Sequence, residues 1–362
     1  MFASFDINST LKSYQVSIVN GLLEDNEYDP GHDFVLIDQL VLELYPELNS
    51  NKIIPIPAVE DCKSLETVAE VVERLRALGA NRSSRLIAVG GGIIQDIATF
   101  VASVYMRGIA WSYYPTTLLG MVDSCIGGKS SINVGAYKNI AGNFYPPDEV
   151  IVDTQFTKTL RKEEFIAGLS EAVKICFASG GSEFDSYLKL TNQSQHIDLD
   201  VDALLEVIHL TLTTKKRFIE EDEFDEGIRL LLNFGHTFGH AIEAASDFYI
   251  THGVAVGLGM QMACKFSEQY GMGLSERANR LNEYLSELMK EVPNLPNNLK
   301  LIDSKVFLNK FSSDKKHTEK DYVMILPGMR GFLERAAINK STEVEVKLLD
   351  SFEFVRELYE VQ

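Results

Sequence analysis

The chain has 362 residues, 45% of them hydrophobic, and carries 52 acidic against 34 basic residues for a net charge of −18. That charge argues against nucleic acid or an anionic membrane as a partner, and no run of 18 apolar residues offers a membrane span. Cys62, Cys125, Cys176 and Cys264 lie far apart and form no Cys-x-x-Cys, and the N-terminus has no basic, apolar leader. Both features read as a cytoplasmic protein with reduced thiols.

In chain order, residues 34–38 read as a short apolar strand ending in Asp38. Residues 64–78 are an amphipathic helix stopped by Gly79. Residues 86–89 are a buried strand that runs into Gly90, Gly91 and Gly92. Residues 93–105 then read as a helix, and 110–114 as a strand ending at Pro115. This alternation predicts a doubly wound α/β domain over residues 1–158. From Lys162 the periodicity is helical, over 162–178, 182–191, 201–220, 226–245, 252–271 and 274–290, with 322–326 as a late strand. An all-α domain over 159–362 is expected. Ligands collect at the carboxyl ends of parallel strands, so the active site is expected in an interdomain cleft.

Several motifs stand out against this frame. Three of the seven histidines, His236, His240 and His252, fall within 17 positions. His236 and His240 share a helix face, which fits either metal ligation or a hydrogen-bonded pair. The Gly90–Gly92 turn between strand and helix fits a phosphate cradle or a plain tight turn. Asp96, one turn later, reads as a cap or as a ribose-binding group. Pro115 is followed by the hydroxyls of Thr116 and Thr117. The polar loop from Asp123 through Gly127, Gly128 and Lys129 to Lys138 and Asn139 suits phosphate binding or a solvated surface. Glu171 and Lys174, three apart on an apolar helix, suit an ion pair or a metal carboxylate beside a substrate-binding ammonium. Arg229, Asn233, His236 and His240 form a polar stripe if 226–245 is one helix. Such a stripe suggests an anionic, oxygen-rich ligand beside a metal.

These segments together resemble the dehydroquinate synthase family of NAD-dependent sugar phosphate cyclases. The resemblance covers about residues 60–330. It is carried by the segments 60–67, 90–96, 105–108, 115–119, 123–129, 138–139, 171–174, 229–240 and 314–316. It implies a Rossmann-like N-terminal domain and a helical C-terminal one. NAD would lie against Asp38, Glu60, Lys63, Gly91, Gly92, Asp96, Thr116, Thr117, Leu119, Asp123, Lys129, Lys138, Phe156 and Thr159. Glu171, His236 and His252 would hold a divalent metal, zinc or cobalt. Asp123, Lys129, Asn139, Lys174, Lys215, Arg229, Asn233, His240 and Lys316 would surround an anionic sugar phosphate, and Arg107 would serve the neighbouring subunit of a homodimer. His240 is left as a substrate group because a catalytic metal needs open positions.

The implied reaction converts 3-deoxy-arabino-heptulosonate 7-phosphate into 3-dehydroquinate and phosphate. Its steps are transient oxidation, phosphate elimination, reduction and aldol closure. Alternatives are a sister cyclase of the deoxy-inosose, valiolone or amino-dehydroquinate type, a metal-dependent polyol dehydrogenase, or a non-catalytic relative. Four departures from the family pattern bear on the substrate. Val254 stands where glutamate is usual, Gln95 and Thr99 where glycine is usual, and Ser130–Ser131 replaces Thr-Gly.

Overall fold

Short aliphatic runs, each closed by a turn residue, build the N-terminal part around a parallel sheet. In the computed structural model, which describes residues 1–21, 32–135, 137–191 and 197–360, the chain divides into two compact units. The first is Met1–Leu160 with Lys215–Phe224, and the second is Arg161–Thr214 with Asp225–Gln362.

The first unit contains strands β1 (Ala3–Ile7), β2 (Tyr14–Val19), β3 (Asp33–Asp38), β4 (Ile53–Ile56), β5 (Arg85–Gly90) and β6 (Ala110–Pro115). β7 (Ile132–Val134), β8 (Tyr137–Ala141) and β9 (Glu149–Asp153) follow. Its helices are α1 (Gln39–Leu44), α2 (Leu65–Ala77) and α3 (Gly92–Val104). The main sheet runs β1-β2-β9-β6-β5-β3-β4, parallel except for the β1–β2 edge, and β7–β8 is a separate hairpin. β3 and β5 are nearly continuous apolar runs, as strands covered on both faces must be. The path leaves β3 for the edge strand β4 and returns to β5 on the other side of β3. That reversal is the switch point where a doubly wound sheet opens a crevice. The expected strands and helices at 34–38, 64–78, 86–89, 93–105 and 110–114 all appear, with ends shifted by one residue or less.

The second unit is helical. It contains α4 (Lys162–Ala178), α5 (Glu183–Thr191), most of α6 (Val201–Glu221), α7 (His236–Ala245), α8 (His252–Gln269) and α9 (Glu276–Lys290). α10 (Leu295–Lys300), α11 (Ser304–Ser312) and α12 (Thr342–Tyr359) complete it. It also holds an antiparallel hairpin of β10 (Asp321–Pro327), which contains the expected strand at 322–326, and β11 (Leu333–Asn339). α8 is buried at every position from Gly253 to Cys264, so it is the core around which its neighbours pack.

One expected element is different. Residues 226–245 are not a single helix. A 3₁₀ segment, Ile228–Asn233, ends at Phe234, Gly235 turns left-handed at φ 78°, and α7 begins at His236. A side chain at Gly235 would put its Cβ 2.7 Å from Val256 O, so close packing on α8 together with the left-handed turn breaks the helix there. The stripe from Arg229 to His240 on one helix therefore does not exist. No helix among the described residues is long and apolar enough to cross a membrane.

Candidate active site and metal centre

The helix break places the metal candidates. It leaves His236 as the first residue of α7, and His252 is the first residue of α8. Glu171 lies midway along α4. Gly253 lets α8 press against α4, since a Cβ there would come within 2.5 Å of Ala167 O. The three ligand atoms of Glu171, His236 and His252 lie within 4.8 Å of one another. Glu171 Oε1 is 3.9 Å from His236 Nε2 and 3.7 Å from His252 Nε2. A tetrahedral zinc site with bonds of about 2.0–2.1 Å has ligand–ligand edges of about 3.4 Å, so small side-chain shifts bring this set to that geometry.

The electrostatics fit a cation. Glu171 is 1% exposed; its Oε2 accepts from Lys174 Nζ, while Oε1, which faces the imidazoles, has no hydrogen-bond partner. Burial, reinforced by the charge of Lys174, drives the pKa of His236 well below the usual histidine value and keeps a neutral, lone-pair-bearing ring. His252 Nδ1 faces Glu243 Oε2 at 3.2 Å, which orients the ring and leaves Nε2 toward the triad. Burial works against a charge on His252, but the bond to Glu243 and the charge of Glu171 outweigh it and raise its pKa. Glu243 received no role from the sequence. Its place three residues beyond His240 and seven beyond His236, on the same face of α7, was the available signal.

His240 lies beside this triad and outside it. Its ring centroid is 5.5 Å from those of both His236 and His252. Its Nδ1 sits 3.7 Å from Asp314 Oδ2, and Lys316 Nζ donates to the same oxygen at 3.3 Å. Burial pushes the Asp314 carboxyl up, but the bond from His240 and the charge of Lys316 outweigh it and hold it well below the usual range. Arg229 is 4% exposed in the 3₁₀ segment. Asn233, at the end of that segment, donates to Leu230 O at 3.1 Å.

In the first unit, the expected dinucleotide residues converge on the carboxyl ends of three adjacent strands. Asp38 ends β3, Gly91 and Gly92 follow β5, and Thr116 and Thr117 follow β6. Asp38 also caps α1 by accepting from Leu40 N at 3.0 Å. The N-terminus of α3 opens at Gly91 with no side-chain cap, and first-turn N–H groups of a helix suit a phosphate. Thr117 Oγ1 accepts from Gly120 N at 3.1 Å, just past Leu119. Phe156 is 1% exposed and packs edge-on against Tyr45, whose hydroxyl lies 3.2 Å from Thr159 Oγ1.

A second cluster sits beside α3. Lys63 Nζ donates to Asp96 Oδ2 at 3.1 Å and to Asn139 Oδ1 at 2.7 Å, and Ser131 N donates to Asp96 Oδ1 at 3.0 Å. Asn133 Nδ2 donates to Glu60 Oε1 at 2.8 Å, and Asn133 Oδ1 accepts from Asn139 N at 2.9 Å. Asn139, expected at the substrate, is thus joined to the dinucleotide residues. Burial raises the Asp96 pKa to about 6, against the pull of Lys63. Lys138 is exposed on β8 beside Asn139.

Asp123 and Lys215 form a third group in the same unit. Lys215 Nζ lies 2.5 Å from Asp123 Oδ1, also binds Asp123 O, and donates to Ile126 O at 3.3 Å. Lys129 lies 5.9 Å from the centre of the Phe144 ring. Arg107 is exposed in a turn after α3, in a left-handed conformation (φ 67°). Gln95 is 5% exposed and bonds twice to Ser124, a contact the sequence did not suggest.

The arrangement invites comparison with known proteins. Residues 53–167 match the 3-dehydroquinate synthase N-terminal family and residues 168–317 its C-terminal family. The 3-dehydroquinate synthase of Streptococcus pyogenes serotype M5 is 33% identical over 95% of this chain and 98% of its own. Among solved structures, 2-deoxy-scyllo-inosose synthase with carbaglucose-6-phosphate, NAD⁺ and Co²⁺ superposes with a TM-score of 0.79. It is 24% identical and covers 98% of this chain and 99% of its own. The 2-epi-5-epi-valiolone synthase of Streptomyces hygroscopicus subsp. jinggangensis, with NAD⁺ and Zn²⁺ bound, gives 0.77 at 24% identity, covering 97% and 99%. The cyclases share this fold, and the sequence match is narrower: the chain belongs to the 3-dehydroquinate synthase family.

Proposed function

We propose that this chain is a 3-dehydroquinate synthase, a phosphate-eliminating lyase acting on 3-deoxy-arabino-heptulosonate 7-phosphate. The observation that carries the proposal is the Glu171–His236–His252 triad. A buried carboxylate faces two imidazoles there, with Lys174 on its other oxygen. Those three residues would hold a divalent cation, and the carboxyl ends of β3, β5 and β6 would hold NAD. When bound, NAD supplies a reversible hydride acceptor and the cation polarises hydroxyl oxygens.

The chain's own groups do the rest. Lys174 carries an ammonium into a buried site, and Arg229 brings a guanidinium suited to a carboxylate. His240 sits with Nδ1 3.7 Å from the Asp314 carboxylate, and Lys316 adds a positive charge beside it. Asp123, Lys129, Asn139, Lys215 and Asn233 complete the polar set for the substrate. Lys129 and Lys138 also supply cations to the dinucleotide side. The exposed Arg107 would complete the phosphate pocket of a second copy in a homodimer. Orientation and charge placement are the protein's contribution, and the substrate's own phosphate can take the proton as it leaves.

Incubation with the heptulosonate phosphate, NAD and zinc or cobalt tests the proposal by phosphate release. NAD should be needed in catalytic amounts only. A steady build-up of NADH matching product would support a polyol dehydrogenase. Turnover of only a neutral sugar phosphate would support a sister cyclase.

A further inference from the structure

Asp123 lies in a π-helical turn, Gly120–Ser124, closed by Cys125 N donating to Gly120 O at 3.1 Å. Such turns are rare, and they persist where surrounding contacts over-determine them. Lys215 grips the turn through Asp123 and Ile126. A further grip comes from an amide on α3, beside the hydroxyl of Tyr113, which also meets Ser124. Gln95 Nε2 donates to Ser124 O at 2.7 Å, and Ser124 Oγ donates to Gln95 Oε1 at 2.6 Å. Both ends of the amide are used, so its orientation and that of the hydroxyl are fixed together. The backbone of Gln95 is tied in turn, since the fully buried Thr99 donates its hydroxyl to Gln95 O at 2.8 Å. Gln95 is one residue before Asp96 and on the helix whose N-terminus follows the Gly90–Gly92 turn. One side chain therefore links the dinucleotide-facing helix to the turn that carries Asp123.

We propose that Gln95 is a positioning residue: through its paired bonds to Ser124 it fixes the π turn and thereby sets the Asp123 carboxylate and its Lys215 partner for the substrate. This rests on the reading of Asp123 and Lys215 as substrate groups, and the test keeps the two apart. Phosphate release by the native chain is measured first and judges that reading alone. Gln95→Ala and Ser124→Ala are then compared with it by amide hydrogen exchange over residues 120–126, by NAD affinity, and by kcat and KM for phosphate release.

Gln95→Ala should speed exchange across 120–126, and because Asp123 also borders the expected dinucleotide site, any loss of NAD affinity should be well below the loss in kcat/KM. The substitution should lower kcat/KM on the order of 10- to 100-fold, as expected when a reacting group is misplaced by about 1 Å. The loss should fall mainly on kcat. Ser124→Ala removes one of the two bonds and should cause a smaller loss of the same kind. The double variant should be no worse than Gln95→Ala, because both act through one link. Unchanged exchange at 120–126 in both variants overturns the proposal, whatever the native activity. So does faster exchange with kcat/KM within twofold of native, or NAD affinity lost in step with kcat/KM. If Gln95→Ala does not fold, Ser124→Ala, which loses only a hydroxyl, decides by the same criteria.

Discussion

Asp96 and Glu171 are both carboxylates withdrawn from water, and each is bonded to a lysine, yet they close differently. Both oxygens of Asp96 are met from within the first unit, one by Lys63 and the other by Ser131 N. Glu171 gives one oxygen to Lys174 and turns the other, without a donor, toward two imidazoles. A buried carboxylate oxygen left without a donor is costly. The first cluster closes on protein donors, whereas the second sets a carboxylate against two imidazoles, an arrangement suited to a cation.

Removing the cation is the most forceful way to break this comparison. The native chain should carry one divalent ion, and Glu171→Gln or His252→Ala should carry none by elemental analysis. Chelation should abolish phosphate release, and zinc or cobalt should restore it. Full activity in metal-free protein would place the function of the triad elsewhere. The Asp96 network should survive chelation unchanged, which NAD affinity would report.

The next effect concerns the anion expected near the cation. Arg229→Gln removes a buried guanidinium, and the loss should be about 2–4 kcal/mol in kcat/KM with the heptulosonate phosphate. A sugar phosphate without the carboxylate should show much less. An unchanged kcat/KM with the acid substrate would point to a sister cyclase.

Glu243→Gln sharpens the comparison further, because it keeps the shape beside His252 and removes the charge. Metal affinity should fall about 10- to 100-fold, the range for groups that orient a ligand. A competition titration with a chromogenic chelator reads this without turnover. Val254 bears on the same point. It is fully buried on α8, and the carboxylate at His252 Nδ1 comes from Glu243 on α7.

Legibility from sequence followed the local signals. The run from β5 through the glycine turn to α3 was readable because aliphatic strands and glycine punctuation are local and strong. The metal candidates came in full only from the family resemblance. Spacing pointed to His236 with His240, but the break at Gly235 and the packing of α8 join His236 to His252 and leave His240 to Asp314. The stripe from Arg229 to His240 failed for the same reason, since no local pattern marked residues 228–233 as 3₁₀. β11 was missed because Leu333-Glu-Arg-Ala-Ala337 favours a helix on propensity, and pairing with β10 overrides it. The Gln95–Ser124 pair spans 29 positions and had no sequence signature at all.

The smallest effect tests the closed side of the comparison. Burial raises Asp96 from 3.8 to about 6 despite Lys63, so folding favours its protonated form. The stability this contributes is fully present below the unfolded value near 4, and it is lost as pH rises through about 6. The span sets a ceiling of about 3 kcal/mol. With 20% of the side chain exposed, about 1 kcal/mol is a fairer expectation. Asp96→Asn cannot titrate but keeps an oxygen for Ser131 N. Thermal melts from pH 4.5 to 7.5 should therefore show the native chain losing ground to Asp96→Asn between pH 4.5 and about 6.5, with a constant gap above. If the gap instead widens as pH falls, ionised Asp96 stabilises the fold through Lys63 more than its burial costs. The first cluster would then depend on its charge as well as on its burial.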